Sequence, residues 1–381
     1  MNGYRCIACN ASQAADYAGF QCPDCGGNLD ITYDYENARR AISARFEGPD
    51  DIFRYAPLLP VNPLAAPFPL KVGRTPIIRT QRLGQSLGLE RLYLKDDTGN
   101  PSASTKDRAS AIALQRAVDI GARTVAVAST GNAGSSTACI AAALGLKAIV
   151  LVPENAPVAK LTQTLAYGAT LLAVRGTYDD AYDLCLQAAD EFGWFNRSTG
   201  YNPFTREGKK TCSYEIWEGL QRVPDRIVVP TGDGNILSGI WKGWCDLKAL
   251  GLIDTLPKID CARADPDTIA DSISVIQPRD GFAASPAVAE SGGVTMTVTE
   301  DEILTALPEI ARTTGIFAEP AAAASWAAVK RLVLDKTIDP TELVVCLVTG
   351  NGLKDVPTAA SAVGLPTVIE PTLEAVHEAL G

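Results

Sequence analysis

Between residues 91 and 193, and again between 225 and 355, short apolar runs alternate with stretches of helical spacing. Runs at 91–95, 124–128, 147–152 and 170–174 read as strands, and 109–121, 135–144, 158–167 and 178–192 read as helices. The second region places strands near 226–229, 258–263 and 343–348. Strands separated by helices pair in parallel through right-handed crossovers. The pattern therefore predicts an α/β protein: two doubly wound three-layer α/β/α halves with a ligand cleft between them. A length of 381 residues, 46% of them apolar, supplies core for two such halves.

The chain has a single histidine, His377, near its C-terminal end. Ser-His-Asp or Cys-His catalysis and histidine metal sites are thereby excluded from the interior. Acid–base chemistry must come from lysine, carboxylates, hydroxyls or a cofactor. A net charge of −10 argues against nucleic acid or an anionic membrane as partner. With no membrane-length apolar run and no signal-peptide pattern, the expectation is a cytoplasmic protein acting on a small molecule. A homodimer is expected only because symmetric dimers are the commonest assembly.

Cys6-x-x-Cys9 and Cys22-x-x-Cys25 stand in knuckle-like contexts, with residues 10–21 between the pairs. Four thiolates so arranged suit tetrahedral zinc and leave no open coordination position, which predicts a structural zinc ribbon. Redox CxxC motifs or disulfides fit a reducing compartment less well. Four segments follow: a zinc-ribbon-like 1–35; a wrapping arm and start of the large domain, 36–90; a small α/β domain, 91–195; and a large one, 196–381.

In parallel sheets the chemistry lies in loops at the carboxyl ends of strands. The strand ending at Lys95 passes through a polar turn and opens a helix, with Ser104 or Thr105 as N-cap and Lys106 in the first turn. A cation is disfavoured at that end of the macrodipole, so the amine has reason to lose its proton and form a Schiff base. Another loop, Ser129-Thr-Gly-Asn132, offers amide groups at a helix start. A third, Gly232-Asp233-Gly234-Asn235-Ile236, suits a phosphate. Its glycine spacing is wrong for a dinucleotide fingerprint. A fourth follows the strand that ends at Val348 and begins with Thr349.

Ser104-Thr-Lys-Asp-Arg108, Ala128-Ser-Thr-Gly-Asn132, Phe317-Ala-Glu-Pro-Ala321 and Thr349-Gly-Asn-Gly-Leu-Lys-Asp355 together resemble motifs of the fold-type II pyridoxal-phosphate enzymes. Among these the chain is most similar to the threonine synthase family, whose members often carry an N-terminal cysteine ribbon. The resemblance implies that Lys106 holds pyridoxal 5'-phosphate and then shuttles protons. It further implies that Asn132 bonds the ring's 3′-oxygen, that Gly232, Asp233, Gly234, Asn235 and Ile236 cradle the phosphate, and that Thr349 meets the pyridine nitrogen. Ser104, Thr105, Thr130 and Asn202, with Lys95 as a weaker candidate, would contact the substrate. The implied reaction turns O-phospho-L-homoserine and water into L-threonine and phosphate by γ-elimination and β-hydration.

One stretch departs from the family. Residues 202–211, Asn-Pro-Phe-Thr-Arg-Glu-Gly-Lys-Lys-Thr, align with Asn-Pro-Tyr-Arg-Leu-Glu-Gly-Gln-Lys-Thr. The family's substrate-phosphate arginine falls on Thr205. Read as extended structure, Arg206 points to the opposite face; an irregular loop would let it reach the phosphate, and Lys209 is another donor. Without such a donor, the same lysine chemistry suits a threonine or serine ammonia-lyase, or a β-replacing enzyme on an unphosphorylated amino acid. An inactive binding module would have lost some cofactor motif, yet all are present.

Overall fold

The computed structural model describes every residue except 43–45 and 157, and of 158–160 the backbone only. Its thirteen strands are β1 Gly3–Cys6, β2 Ser12–Ala14, β3 Leu29–Thr32, β4 Ile77–Arg79, β5 Arg91–Asp96, β6 Thr124–Ala128, β7 Lys147–Pro153, β8 Thr170–Val174, β9 Phe195–Asn196, β10 Arg226–Pro230, β11 Lys258–Arg263, β12 Thr295–Thr297 and β13 Leu343–Val348. They form a six-stranded sheet in the order β12-β11-β10-β13-β5-β4, a four-stranded sheet β8-β7-β6-β9, and a three-stranded sheet β2-β1-β3. Both large sheets are parallel apart from β4, which runs antiparallel on the edge. Parallel sheets are covered on both faces, and every residue of β10 and β13 is buried, as their unbroken apolar runs require.

Strand positions follow the sequence reading closely, but one grouping changes. Succession along the chain put 91–95 with the strands after it; instead β5 pairs along its whole length with β13, in the larger sheet. The 36–90 arm contributes a short helix, Tyr35–Ala41, and the edge strand β4.

Helix Phe204–Leu220 is buried over its first thirteen residues and packs against helices Lys106–Asp119 and Asn235–Ala249. Close approach needs small residues at the crossings. A Cβ on Gly208 would run into the Arg108 carbonyl, and one on Gly239 would stand 2.9 Å from Lys209 Cβ. Burial of so polar a helix is possible because most of its charges are paired. Arg108 bonds Asp97 at 2.8 Å and Glu215 at 2.6 Å, and Lys95 bonds Glu215 at 2.7 Å. Lys210 sits 2.6 Å from Glu207 and 2.8 Å from Asp246.

Candidate active site

The parallel strands bring their carboxyl ends to one side, and the loops there surround a cavity of about 690 Å³. That volume lies in the range of small-molecule sites. Lys106, Thr130, Asn132, Lys209 and the run Gly232–Ile236 line it.

The lysine loop is held as part of a block. Thr105 N donates to Thr349 O at 2.8 Å and Asn351 N to Ala103 O at 3.1 Å, while Glu319 N donates to Gly350 O at 2.9 Å. Ala103 is left-handed, with φ +67°. For an alanine this costs about 1–2 kcal/mol, and the Asn351 amide on its carbonyl helps to hold it. Lys106 is the first residue of helix Lys106–Asp119, and Thr105 supplies no side-chain cap. Burial lowers the Lys106 pKa, the nearby Glu319 carboxylate opposes this, and Arg197 lowers it further.

Across the cavity, helix Asn235–Ala249 starts from Gly234 at φ +94°, again without a side-chain cap. Its first amides have no carbonyl partner in the helix. Gly232 cannot carry a side chain, because a Cβ would lie 2.7 Å from Ile273 Cα. The Asp233 carboxylate braces the loop by accepting from Arg279 N at 2.6 Å. Asn235 does the same, donating to Asp280 at 2.9 Å and accepting from Lys209 Nζ at 2.5 Å. Helix Asn132–Leu144 also opens on the cavity uncapped. By contrast, the peripheral helices Glu300–Thr314 and Leu373–Leu380 are capped by Thr299 and Thr372. Uncapped amides facing a cavity are a ready anion site.

Behind Asn132, lining a smaller adjoining cavity, stands Glu319, which the sequence reading met only inside a motif. It accepts from Asn132 Nδ2 at 2.8 Å, and the Thr349 hydroxyl lies 3.5 Å from its other oxygen. Burial pushes its pKa up, against the Asn132 bond. An acid just before a proline at a helix start was the only local signal. Amine, amide cradle and Asn132 line one cavity and fit a pyridoxal phosphate in donor set, while Thr349 lies behind that lining with its hydroxyl toward Glu319.

Several expected substrate contacts serve the framework instead. Ser104 and Thr105 are buried in the loop, where Ser104 Oγ accepts from Lys106 N at 3.4 Å. Asn202 folds back on its own turn, bonding Phe204 N at 2.9 Å and Asn196 O at 2.8 Å. Lys95 is spent on Glu215 and Thr75. Arg206 reaches Asp280 at 2.5 Å and Asp30 at 3.0 Å. The segment is helical from Phe204, not extended, so successive side chains turn by about 100° and Arg206 leaves the cavity side. Thr130 does line the cavity.

Outside the cavity lining, the thiols of Cys6, Cys9, Cys22 and Cys25 lie within 4.8 Å of one another. The separations of 3.5 Å for Cys6–Cys25 and 3.7 Å for Cys9–Cys22 are non-bonded. They approach the edge of about 3.8 Å that a tetrahedron of 2.3 Å zinc–sulfur bonds has. Burial alone would raise the Cys6 thiol, but the Cys9 and Ala8 amides outweigh it and hold it at about 7. The cluster can hold a metal ion.

Comparison with known proteins agrees with this geometry. Residues 69–350 match the family of pyridoxal-phosphate-dependent enzymes. Threonine synthase from Methanocaldococcus jannaschii is 38% identical, covering 96% of each chain. The one from Methanosarcina acetivorans is 35% identical over 100% of this chain and 99% of its own. The chain belongs to the threonine synthase family. Its fold is shared more widely: diaminopropionate ammonia lyase from Escherichia coli superposes with a TM-score of 0.66 at 16% identity, over 80% of this chain and 94% of that one. Within the 202–211 stretch set out above, Lys209 for glutamine lines the cavity, while Thr205 for arginine lies behind the lining and reaches Asn235. Among the described residues no helix is long and apolar enough to cross a membrane.

Proposed function

We propose that this threonine synthase family member converts O-phospho-L-homoserine and water to L-threonine and inorganic phosphate at the cavity between Lys106 and Gly232–Ile236. The observation that carries the reading is one amine of lowered pKa facing an uncapped, glycine-lined helix start across a single cavity. Pyridoxal phosphate, when bound, supplies an electron sink that acidifies the substrate's α- and β-hydrogens.

The protein's part is binding and proton handling. The amides at Asn235 and Ile236 receive the cofactor phosphate, and Gly232 and Gly234 let the backbone close on it. Asn132, oriented by Glu319, would bond the ring's 3′-oxygen, and Thr349 would offer a neutral hydroxyl to the ring nitrogen. Lys106 Nζ takes the α-proton and returns protons along the same side of the substrate; its lowered pKa favours the neutral amine that this task needs. The four cysteines hold a structural zinc ion, supported by their tetrahedral spacing.

Product analysis with the cofactor-loaded protein tests the reaction. Threonine and phosphate in equal amounts are expected from O-phospho-L-homoserine. Release of ammonia from threonine or serine, with no turnover of the phosphorylated substrate, would transfer the chain to the ammonia-lyase alternative.

A further inference from the structure

Among the described residues seven lysine and arginine side chains are buried: Lys95, Arg108, Arg197, Arg206, Lys209, Lys210 and Arg226. Five of them meet a carboxylate at 3.0 Å or closer. Lys209 and Arg197 meet none among the described residues. Lys209 has only the neutral oxygen of Asn235, at 2.5 Å. Arg197 has only Ser110 Oγ at 3.1 Å, Thr199 Oγ1 at 3.1 Å and the Lys106 carbonyl at 3.4 Å. A buried cation without a counter-ion is costly, and the other five avoid it.

The two exceptions sit together. Lys209 and Thr199 line the same cavity as Lys106. Burial, Lys106 and Arg197 lower the pKa of Lys209 and outweigh the Asp233 and Asp280 carboxylates, neither of which it bonds, so an anion brought against the amine would favour its charged form. The cofactor phosphate already has the amide cradle. The substrate brings in two further anionic groups, an α-carboxylate beside the carbon that Lys106 deprotonates and a phosphate at the far end of its chain, and it is for the phosphate that the family pattern puts a cation on the helix that carries Lys209.

We propose that Lys209, backed by Arg197 through Thr199, is the seat of the substrate's phosphate group in this protein. The inference rests on the reaction assigned above and adds the residue that recognises its leaving group. Helical geometry explains how the site tolerates Thr205. Residues 205 and 209 are four apart on one helix face, and both side chains reach Asn235 Oδ1, at 3.3 and 2.5 Å. A cation absent at 205 is supplied one turn later on the same face.

The test compares wild type with Lys209→Gln and Lys209→Met, the second keeping the apolar stem, as cofactor-loaded proteins. Three quantities are read: KM for O-phospho-L-homoserine, the dissociation constant of inorganic phosphate by calorimetry, and cofactor affinity from the near-visible band. In both variants KM and the phosphate constant are expected to rise at least about tenfold, the loss of one charge-assisted hydrogen bond. Cofactor affinity should change less than about threefold. An unchanged KM and phosphate constant would overturn the proposal, and so would weakened cofactor binding with KM intact, which would give Lys209 to the cofactor. Wild type that makes no threonine would instead overturn the assigned reaction. The seat is then judged on phosphate alone: weaker binding in the variants upholds it, and unchanged binding refutes it.

Discussion

Arg206 Nη2 donates to Asp280 Oδ1 at 2.5 Å, and the same carboxylate gathers Asn235 Nδ2 at 2.9 Å, Ser238 Oγ at 2.6 Å and Asn28 Nδ2 at 3.3 Å. Arg206 also pairs with Asp30 of β3. Asp280 is therefore a joint between the cysteine ribbon, helix Phe204–Leu220 and the start of the phosphate-loop helix. Asp280→Ala should lower stability by about 3 kcal/mol, because it strips a buried guanidinium of its closer partner. It should also weaken cofactor binding by freeing Asn235. Urea unfolding and absorbance titration measure the two effects, and an unchanged titration would mean that Asn235 needs no such brace.

Lys106→Ala should abolish the near-visible band of the cofactor-loaded protein and leave the far-ultraviolet circular dichroism unchanged. The side chain has no hydrogen bond among the described residues, so its removal takes little from the fold. A persisting band would place the cofactor on another amine, with Lys209 the nearest choice.

Cys22→Ser should release the metal and destabilise the protein by several kcal/mol, since structural metal binding is folding free energy. Elemental analysis and thermal unfolding report these. Because Asn28 and Asp30 touch Asp280 and Arg206, cofactor affinity should fall too. Full metal content in the variant would refute the four-cysteine site.

The Lys95–Glu215–Arg108–Asp97 cluster sets a dependence on acid. Burial alone would raise the Glu215 carboxyl, but Arg108 and Lys95 outweigh it and hold it well below its ordinary 4.5. Asp97 is likewise lowered from 3.8, chiefly by Arg108 against burial. Folded values lie below unfolded ones, so the unfolded chain binds more protons in acid. The stabilisation is present above about pH 4.5 and is lost as pH falls below it. Glu215→Gln should flatten that slope while costing about 3–5 kcal/mol at pH 7, because two buried cations lose a shared partner. Denaturant midpoints from pH 3 to 7 give both quantities; an equally steep acid slope in the variant would assign the loss to other carboxylates.

Much of the framework was legible locally. Strands such as Thr124–Ala128 and Leu343–Val348 are apolar runs bounded by glycine loops, so their limits follow from hydrophobicity and turn chemistry. Lys106 as the first helical residue, Asn132 at another helix start and the paired cysteines are likewise short-range patterns. Three features were not legible, each depending on partners distant in the chain. Pairing of β5 with β13 is one. The role of Glu319 is another, since its meaning lies in what surrounds it once buried, whereas Lys209 was already a candidate phosphate donor and only its lack of a counter-ion was hidden. The direction of Arg206 is the third: one residue's shift reverses a side chain in a strand but turns it by about 100° in a helix. Sequence alone determined which residues begin helices and end strands, because hydrogen bonding and side-chain burial over a few residues decide that. Only the tertiary structure decided which buried charges find a counter-charge, because Coulombic partners are chosen by distance in space.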